Sequence, residues 1–212
     1  MSWNRVKEIC ILRQRSKKIE DHRTYCIVSY EEDTTPHQIT SKVVINAAEP
    51  WVNEVLDTCI PKPNMLNIDL VLGSHILVDK KVDRIYYIEA KDKRSVFVRP
   101  YHNGTLIGTT EVRFTSSLKH IDVPPSDIPY LIDNFNHYFK TKITTDNIIN
   151  SFAGLRALPC NDKKVFKKSR EVTIWQDKIN TPNVYSIYGG GKLTSYRATA
   201  RKVLKKIKPS IT

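Results

Sequence analysis

The run of short strand-like segments between residues 68 and 112 constrains the fold more than any other feature of this sequence. Turn-forming polar residues separate the segments, and Asn103-Gly104 lies between the last two of them. Asn-Gly flanked by strand-forming residues is a strong signal for a tight hairpin, and such closely spaced strands favour antiparallel pairing. The sequence therefore predicts an antiparallel sheet, with strands at residues 68–78, 84–90, 95–101 and 106–112.

Further strands and helices are predicted on both sides of this sheet. The segment 42–47, KVVINA, is an apolar run, which is typical of a strand covered on both faces. In the segment 126–140, apolar residues recur at the spacing of one helix face. Other strands are predicted at 24–30, 148–152, 170–175 and 184–188, and helices are predicted from Pro50 and over about 194–207. This mixture predicts an α+β or α/β fold.

Charge and cysteine usage narrow the classes of function. The 34 basic and 22 acidic residues give a net charge of +12, which suits an anionic partner such as a phosphate, a nucleic acid or an acidic lipid surface. The lysine clusters are spread over unlike segments, so solvated surfaces explain them as well. The four cysteines form no CxxC pair and lie at no zinc-ligand spacing, so we expect free thiols and no metal site. No segment resembles a membrane helix or a secretory signal, which predicts a cytoplasmic chain.

A glycine turn near the end of the sequence is the first candidate for a ligand site. The predicted strand 184–188 runs into three glycines, 189–191, and then into Lys192 and a helix. Glycines let a backbone approach a ligand, and a helix N-terminus beside a lysine stabilises a phosphate or a reduced flavin. An ordinary strand-to-helix turn fits the same residues. The turn is not a Walker A loop, because Ser186 stands where a glycine is needed, and the sequence contains no GxGxxG.

Three other residues could carry chemistry. Arg156 follows a predicted strand and Arg170 begins another, so either guanidinium could clamp a phosphate or a hydroxyl. A surface position is the plainer interpretation of each arginine taken alone. His75 lies within the apolar run 71–78, where a hydrogen-bonded core histidine is common. In a cleft, the same imidazole would suit proton removal near neutral pH.

Five stretches, in order, resemble the FAD-dependent glycerol-3-phosphate dehydrogenases. They are VVINAAEPWV (43–52), LGSHILV (72–78), TLIGTTEV (105–112), SFAGLRAL (151–158) and YSIYGGGKLTSYR (185–197). The resemblance implies a glutathione-reductase-like flavoprotein fold, in which segments of an FAD domain enclose a substrate domain built on an antiparallel sheet. Residues 1–60 would form part of the FAD-binding domain, residues 61–147 the substrate domain, and residues 148–212 the return to the FAD-binding domain.

The resemblance also implies a reaction and its residues. The substrate sn-glycerol 3-phosphate would be oxidised to dihydroxyacetone phosphate, with FAD as the hydride acceptor and quinone as the final electron acceptor. His75 would take the hydroxyl proton, and Arg156 would lie against substrate and flavin. Other substrate contacts would come from Thr109, Thr110, Arg170 and Lys192. The flavin contacts would come from Ala47, Ala48, Gly190, Gly191, Lys192, Leu193 and Thr194.

The sequence departs from the family pattern at several positions. The family has glycine where this chain has Glu49, and a carboxylate there would crowd and repel the pyrophosphate side of FAD. The family's N-terminal portion with GxGxxG has no counterpart in the 212 residues. We therefore expect either a piece that is inactive alone or a half that pairs with a separately encoded N-terminal half, with at most peripheral contact to the inner membrane. A basic module that binds nucleic acid is the remaining alternative, but it explains none of the five motifs.

Overall fold

Residues 16–159, 172–189 and 193–211 are described by the computed structural model. Within them the helices are α1 (Val52–Leu56), α2 (Asp127–Tyr138) and α3 (Tyr196–Ile211), with short 3-10 turns at Glu49–Trp51, Thr145–Asn147 and Leu193–Ser195. The strands are β1 (Ser16–Asp21), β2 (Cys26–Glu32), β3 (Thr35–Ser41), β4 (Val44–Asn46), β5 (Cys59–Ile60), β6 (Ile68–Val78), β7 (Tyr86–Glu89), β8 (Ser95–Tyr101), β9 (Gly104–Gly108), β10 (Val112–Phe114), β11 (Ile148–Pro159), β12 (Thr173–Trp175) and β13 (Val184–Tyr188).

A six-stranded antiparallel sheet dominates the structure and confirms the sheet predicted from the sequence. Its strand order is β10-β6-β9-β8-β7. Strands β9 and β10 pair with one edge of β6, and β11 pairs with the opposite edge along the full length of β6. The predicted hairpin at Asn103-Gly104 joins β8 to β9, where Tyr101 pairs with Gly104. The predicted strand 106–112 was wrong in one respect, because the chain leaves the ladder at Thr109 and re-enters it as β10. The predicted strand 148–152 was too short, since β11 continues past Arg156.

Helix α2 covers one face of this sheet, whereas the other face is exposed around Phe97 and Phe152 in the described part of the chain. Helix α2 packs its apolar side, including Leu131 and Phe135, against the inward side chains of β6, β8 and β9. Because side chains alternate along a strand, the residues between those core positions point to the opposite face. There Phe97 and Phe152 are 49% and 47% exposed, which is high for phenylalanine. The open face is therefore the surface on which a ligand can be bound.

Two smaller sheets complete the structure. The first has the order β3-β2-β1-β5 and was not predicted beyond β2. The second has the order β12-β13-β4, and its strands β13 and β4 are parallel. The carboxyl ends of β4 and β13 therefore lie at the same edge of the sheet, and the predicted flavin-binding turns follow these two ends. Helix α3 packs Val203 and Ile207 against Tyr185 of β13.

Candidate functional site

His75 lies on the open face at the centre of the six-stranded sheet. It pairs with Gly108 of β9 on one side and with Phe152 of β11 on the other. A Cβ atom added to Gly108 would lie 2.3 Å from Cδ2 of His75, so the imidazole covers this glycine. The other side of the imidazole stacks on the Phe152 ring, with centroids 5.1 Å apart and an interplanar angle of 9°. The two contacts fix the position of the imidazole.

The surroundings of His75 favour a neutral imidazole. Burial lowers the pKa of His75, and the positive charges of Arg99 and Arg156 lower this pKa further. Its Nδ1 atom is buried and has no hydrogen-bond partner among the described residues. A neutral imidazole can accept a proton, which is the property that a general base needs near neutral pH.

A pair of glycines forms the floor of the open face beside His75. Gly73 of β6 is paired with Gly154 of β11, one step along the same face from His75 and Phe152. A Cβ atom added to Gly154 would meet nothing within 4 Å, whereas one added to Gly73 would lie 2.3 Å from Oγ1 of Thr109. Thr109 thus covers half of this glycine floor, and the other half is open.

Arg156 borders the glycine floor on the side away from His75. It is paired with Val71, two residues beyond the glycine pair, which separates its row from that of His75 by about 13 Å along the strands. Its Nη2 atom donates to Oε1 of Glu111 at 3.0 Å, and both side chains are largely buried. The ion pair orients one edge of the guanidinium, and its other N–H groups can donate to a ligand.

Thr110 holds the backbone of the site and does not face it. Its side chain is only 1% exposed, and its Oγ1 donates to Oδ2 of Asp127 at 2.6 Å. The same Oδ2 accepts a hydrogen bond from Oγ of Ser74 at 2.6 Å, and the Ser74 N–H donates to Oγ1 of Thr110 at 2.9 Å. This network ties β6 and the β9–β10 corner to the first turn of α2. The hydroxyl of Thr110 is therefore engaged inside the core, on the side opposite the open face.

The turn after β4 presents small side chains at the carboxyl edge of the parallel strands. Ala47 is exposed and Ala48 is half-buried. Asn46, which the motif comparison did not single out, organises this turn: its Oδ1 accepts from the Ala48 N–H at 3.2 Å and its Nδ2 donates to the Val52 carbonyl at 2.9 Å. Glu49 follows with a φ of 51°, a left-handed conformation that favours glycine.

The structure describes only some of the remaining predicted residues. Arg170, Gly190, Gly191 and Lys192 lie outside the described residues. Leu193 begins the 3-10 turn that leads into α3, and Thr194 is exposed in the same turn. Gly189, at the end of β13, has a φ of 90°, so the chain makes a glycine-dependent turn at this point.

The fit to FAD is partial. Ala47 and Ala48 carry no side chain that would obstruct the approach of a flavin ring to the edge at which β4 and β13 end. The carboxyl of Glu49 is half-buried beside them, and burial raises its pKa. The 212 residues contain no GxGxxG to bind the pyrophosphate. The residues present therefore fit the flavin-ring end of FAD and lack the dinucleotide end.

Other kinds of site have little support in the described parts of the chain. A cavity of about 510 Å³ is lined by Trp51, Val55, Leu118 and their neighbours, and none of the predicted site residues lines it. Among the described residues, no group of three His, Cys, Asp or Glu side chains could hold a metal ion. No helix in the same ranges is long and apolar enough to cross a membrane. Cys26 and Cys59 are free and buried, as predicted for these two cysteines.

Comparison with known proteins supports the resemblance read from the motifs. The family described as FAD dependent oxidoreductase matches residues 9–204. The aerobic glycerol-3-phosphate dehydrogenase of Escherichia coli (strain K12) is 30% identical over 207 residues, which cover 94% of this chain and 41% of that protein. The D-erythritol 1-phosphate dehydrogenase of Brucella abortus (strain 2308) is 30% identical over 172 residues, which cover 79% of this chain and 34% of that protein.

A solved structure agrees with the fold. The crystal structure of glycerol-3-phosphate dehydrogenase from Bacillus halodurans, complexed with FAD, superposes with a TM-score of 0.76 at 25% identity and covers 92% of this chain. The match confirms the predicted fold class, including the antiparallel sheet. The chain spans 38% of that structure and about two fifths of the E. coli relative.

Proposed function

Because the chain belongs to the family of FAD-dependent oxidoreductases, we propose that it forms the substrate-facing part of a flavoenzyme that oxidises sn-glycerol 3-phosphate to dihydroxyacetone phosphate. The observation that carries this proposal is the shared position of three side chains. His75, Thr109 and Arg156, which come from three separate motifs, border one glycine floor on the open face of the six-stranded sheet. Similarity to glycerol-3-phosphate dehydrogenases supports the choice of substrate.

Each side chain has a distinct part in the proposed reaction. The neutral imidazole of His75 accepts the proton of the C2 hydroxyl. Arg156, oriented by Glu111, donates to the oxygen at C2 and holds the substrate against the glycine floor. Thr109 borders the same space and can hydrogen-bond a hydroxyl, and the Phe152 ring keeps water from one side of the imidazole. FAD, when bound, would supply the acceptor for the C2 hydride, and a quinone would take the electrons onward.

The flavin ring would bind at the edge where β4 and β13 end. Ala47 and Ala48 would contact it from the first turn, and Gly190, Gly191, Lys192, Leu193 and Thr194 from the second. Residues that bind the pyrophosphate would have to come from a polypeptide carrying GxGxxG, because this sequence contains none. Arg170 and Lys192 would add positive charge around the anionic substrate.

The test is the recovery of a flavin that responds to substrate. The purified chain is incubated with FAD, alone and together with a polypeptide that carries the GxGxxG portion of a longer relative, and the visible absorbance of bound flavin is recorded. We expect bound flavin only in the mixture, and we expect anaerobic sn-glycerol 3-phosphate to bleach it. In the mixture, His75→Gln should slow bleaching by about a hundredfold or more. His37→Gln, on the exposed strand β3, is the matched control and should bleach like the wild type.

Two outcomes would contradict the proposal. One is a mixture that binds FAD and does not react with sn-glycerol 3-phosphate. The other is a His75→Gln variant that reacts as fast as the wild type. D-erythritol 1-phosphate should be assayed in the same mixture, because a dehydrogenase of that compound is as similar to this chain as the E. coli glycerol-3-phosphate dehydrogenase. Faster bleaching by D-erythritol 1-phosphate would identify a longer polyol phosphate as the substrate.

A further inference from the structure

Arg99 lies on the same open face as His75, outside the five stretches that carry the family resemblance. In β8, Phe97 pairs with Gly108, and Arg99 pairs with Leu106 one step further along β9. Gly108 and Leu106 pair in turn with His75 and Leu77 of β6. Alternation along the strands therefore puts the side chains of Phe97, Arg99 and His75 on one face.

Arg99 lies near His75 on the open face, two strands and one row of side chains away. The imidazole lies over the backbone of Gly108, and so leans from β6 towards β8. The charge of Arg99 is one of the causes that lower the pKa of His75, second to burial. Adjacent strands are about 4.8 Å apart, so a ligand bound between these two side chains can contact both of them. Arg99 and Arg156 thus flank His75 from opposite sides.

Arg99 differs from Arg113 and Arg156 of this sheet in what its guanidinium contacts. Arg113 of β10 is paired with Asp69, and Arg156 of β11 is paired with Glu111. Among the described residues, no carboxylate lies within ion-pair distance of Arg99, whose guanidinium carbon sits 4.9 Å from the centre of the Tyr101 ring. Stacking on an aromatic ring orients a guanidinium and leaves its N–H groups able to bind an oxyanion.

We propose that Arg99 is a specificity-determining residue, which binds the phosphate group of a polyol phosphate on the β8 side of His75. The inference rests on the proposed function and adds a phosphate contact that none of the five motifs contains. A guanidinium matches phosphate oxygens in bidentate geometry, and the half-buried position strengthens the interaction relative to bulk water. The phosphate then lies to one side of the imidazole, and the carbon chain extends over the glycine floor towards Arg156.

The test follows the imidazole of His75 by NMR in the purified chain. His75→Gln identifies its resonance. A phosphate dianion bound beside an imidazole favours the protonated form, so sn-glycerol 3-phosphate should raise the pKa of His75 in the wild type. Arg99→Met removes the charge and keeps an apolar stem. In this variant, half of the full change at the His75 resonance should require at least about tenfold more sn-glycerol 3-phosphate than in the wild type. Arg99→Lys should be intermediate, because it keeps the charge and loses the bidentate geometry.

Controls separate this role from a structural one. Arg84→Met removes an exposed arginine paired with Asp83, away from the strands of the open face, and should respond like the wild type. Glycerol, which lacks the phosphate, should leave the His75 resonance unchanged. In the absence of ligand, Arg99→Met should itself raise the pKa of His75, because it removes a nearby positive charge. Loss of tertiary structure would instead collapse the chemical-shift dispersion of the whole spectrum.

Three results would overturn the inference. The first is an equal response of Arg99→Met and the wild type to sn-glycerol 3-phosphate. The second is a wild type that does not respond to this ligand at His75. The third is an equal response to glycerol, which would mean that the phosphate group is not what the site binds. Flavin bleaching by sn-glycerol 3-phosphate together with any of these results would refute the role of Arg99 and leave the proposed function standing.

Discussion

Replacing Glu49 by glycine should stabilise the protein and make its stability less dependent on pH. Glu49 has a φ of 51°, and it lies in the turn between β4 and α1. Its carboxyl is half-buried, and burial raises the pKa of Glu49 above that of an ordinary glutamate. The backbone and the carboxyl therefore both act against folding at neutral pH, and glycine removes both effects.

The backbone contribution can be worked from the conformation. A side chain in the left-handed region costs about 1–2 kcal/mol relative to the right-handed one. Removing this cost stabilises the folded state, but glycine also makes the unfolded chain more flexible, which offsets about 0.4–1 kcal/mol of the stabilisation. We therefore expect Glu49→Gly to raise the free energy of unfolding by about 1 kcal/mol at acidic pH, where the carboxyl is protonated in both states. The gain should be larger at neutral pH, where burial of the carboxylate adds to it.

The assay is urea unfolding followed by tryptophan fluorescence at pH 4 and pH 7.5. A carboxyl whose pKa is raised in the folded state contributes its full stability below the unfolded pKa, and that contribution is lost as pH rises through the folded pKa. Glu49→Gln keeps the strained backbone and cannot ionise. It should therefore match the wild type near pH 4 and exceed it at pH 7.5. Glu49→Gly should exceed the wild type at both values.

Lys93→Gly provides the matched control for the backbone. Lys93 has a φ of 70°, and its exposed side chain forms only a surface ion pair with Glu89. Its replacement should give a gain of about 1 kcal/mol that is the same at both pH values. If Glu49→Gly were no more stable than the wild type, or if Glu49→Gln gained equally at both pH values, the reasoning on Glu49 would be refuted.

Three further predictions concern packing and hydrogen bonds that stabilise the fold. Gly108→Ala should lower the free energy of unfolding by about 2 kcal/mol in urea titrations, because its Cβ would lie 2.3 Å from the His75 ring. The control is Gly154→Ala, whose Cβ would meet nothing within 4 Å, and its free energy of unfolding should stay within about 0.5 kcal/mol of the wild type. Asp127→Ala should cost about 2–4 kcal/mol in the same assay, because Ser74 and Thr110 both donate to its carboxylate, and a loss below 1 kcal/mol would contradict that network. Burial raises the pKa of Asp177, but hydrogen bonds from Asn64, Asn180 and Ile179 outweigh it, so the folded pKa is well below the ordinary value. The contribution of Asp177 is thus present above the unfolded pKa and is lost as pH falls through the folded pKa, and Asp177→Asn should be less acid-sensitive than the wild type in the same titrations from pH 2.5 to pH 6.

The sequence predicted local structure well wherever the local signal was strong. The hairpin at Asn103-Gly104 and the amphipathic helix α2 both have strong local patterns, and both are present. The sheet of β1, β2, β3 and β5 was mostly missed, because strands such as TPHQITS are polar and half-exposed. The break after Gly108 depends on Thr110 reaching Asp127, a contact between residues 17 positions apart that no local pattern encodes.

Three of the residues that the resemblance named lie together in the structure, but the sequence did not predict their arrangement. The resemblance supplied His75, Thr109 and Arg156, but their common face follows from the register of β11, which was expected to end at residue 152. Arg99 and Asn46 were missed for a different reason. Each lies in an ordinary strand, and its importance comes from the neighbours that pairing brings to it, across β9 for Arg99 and in the turn towards Val52 for Asn46.

The paired glycines of β6 and β11 have a consequence for how such a protein can change its substrate. One of them, Gly154, has open space where a side chain would be, while Gly73 is already covered by Thr109. Replacing Gly154 by alanine, serine or valine would make the ligand space shallower in small steps and would leave the ladder hydrogen bonds intact. Under the proposed function, the length of polyol phosphate that fits this face could therefore change at this single position, without a matching loss of stability.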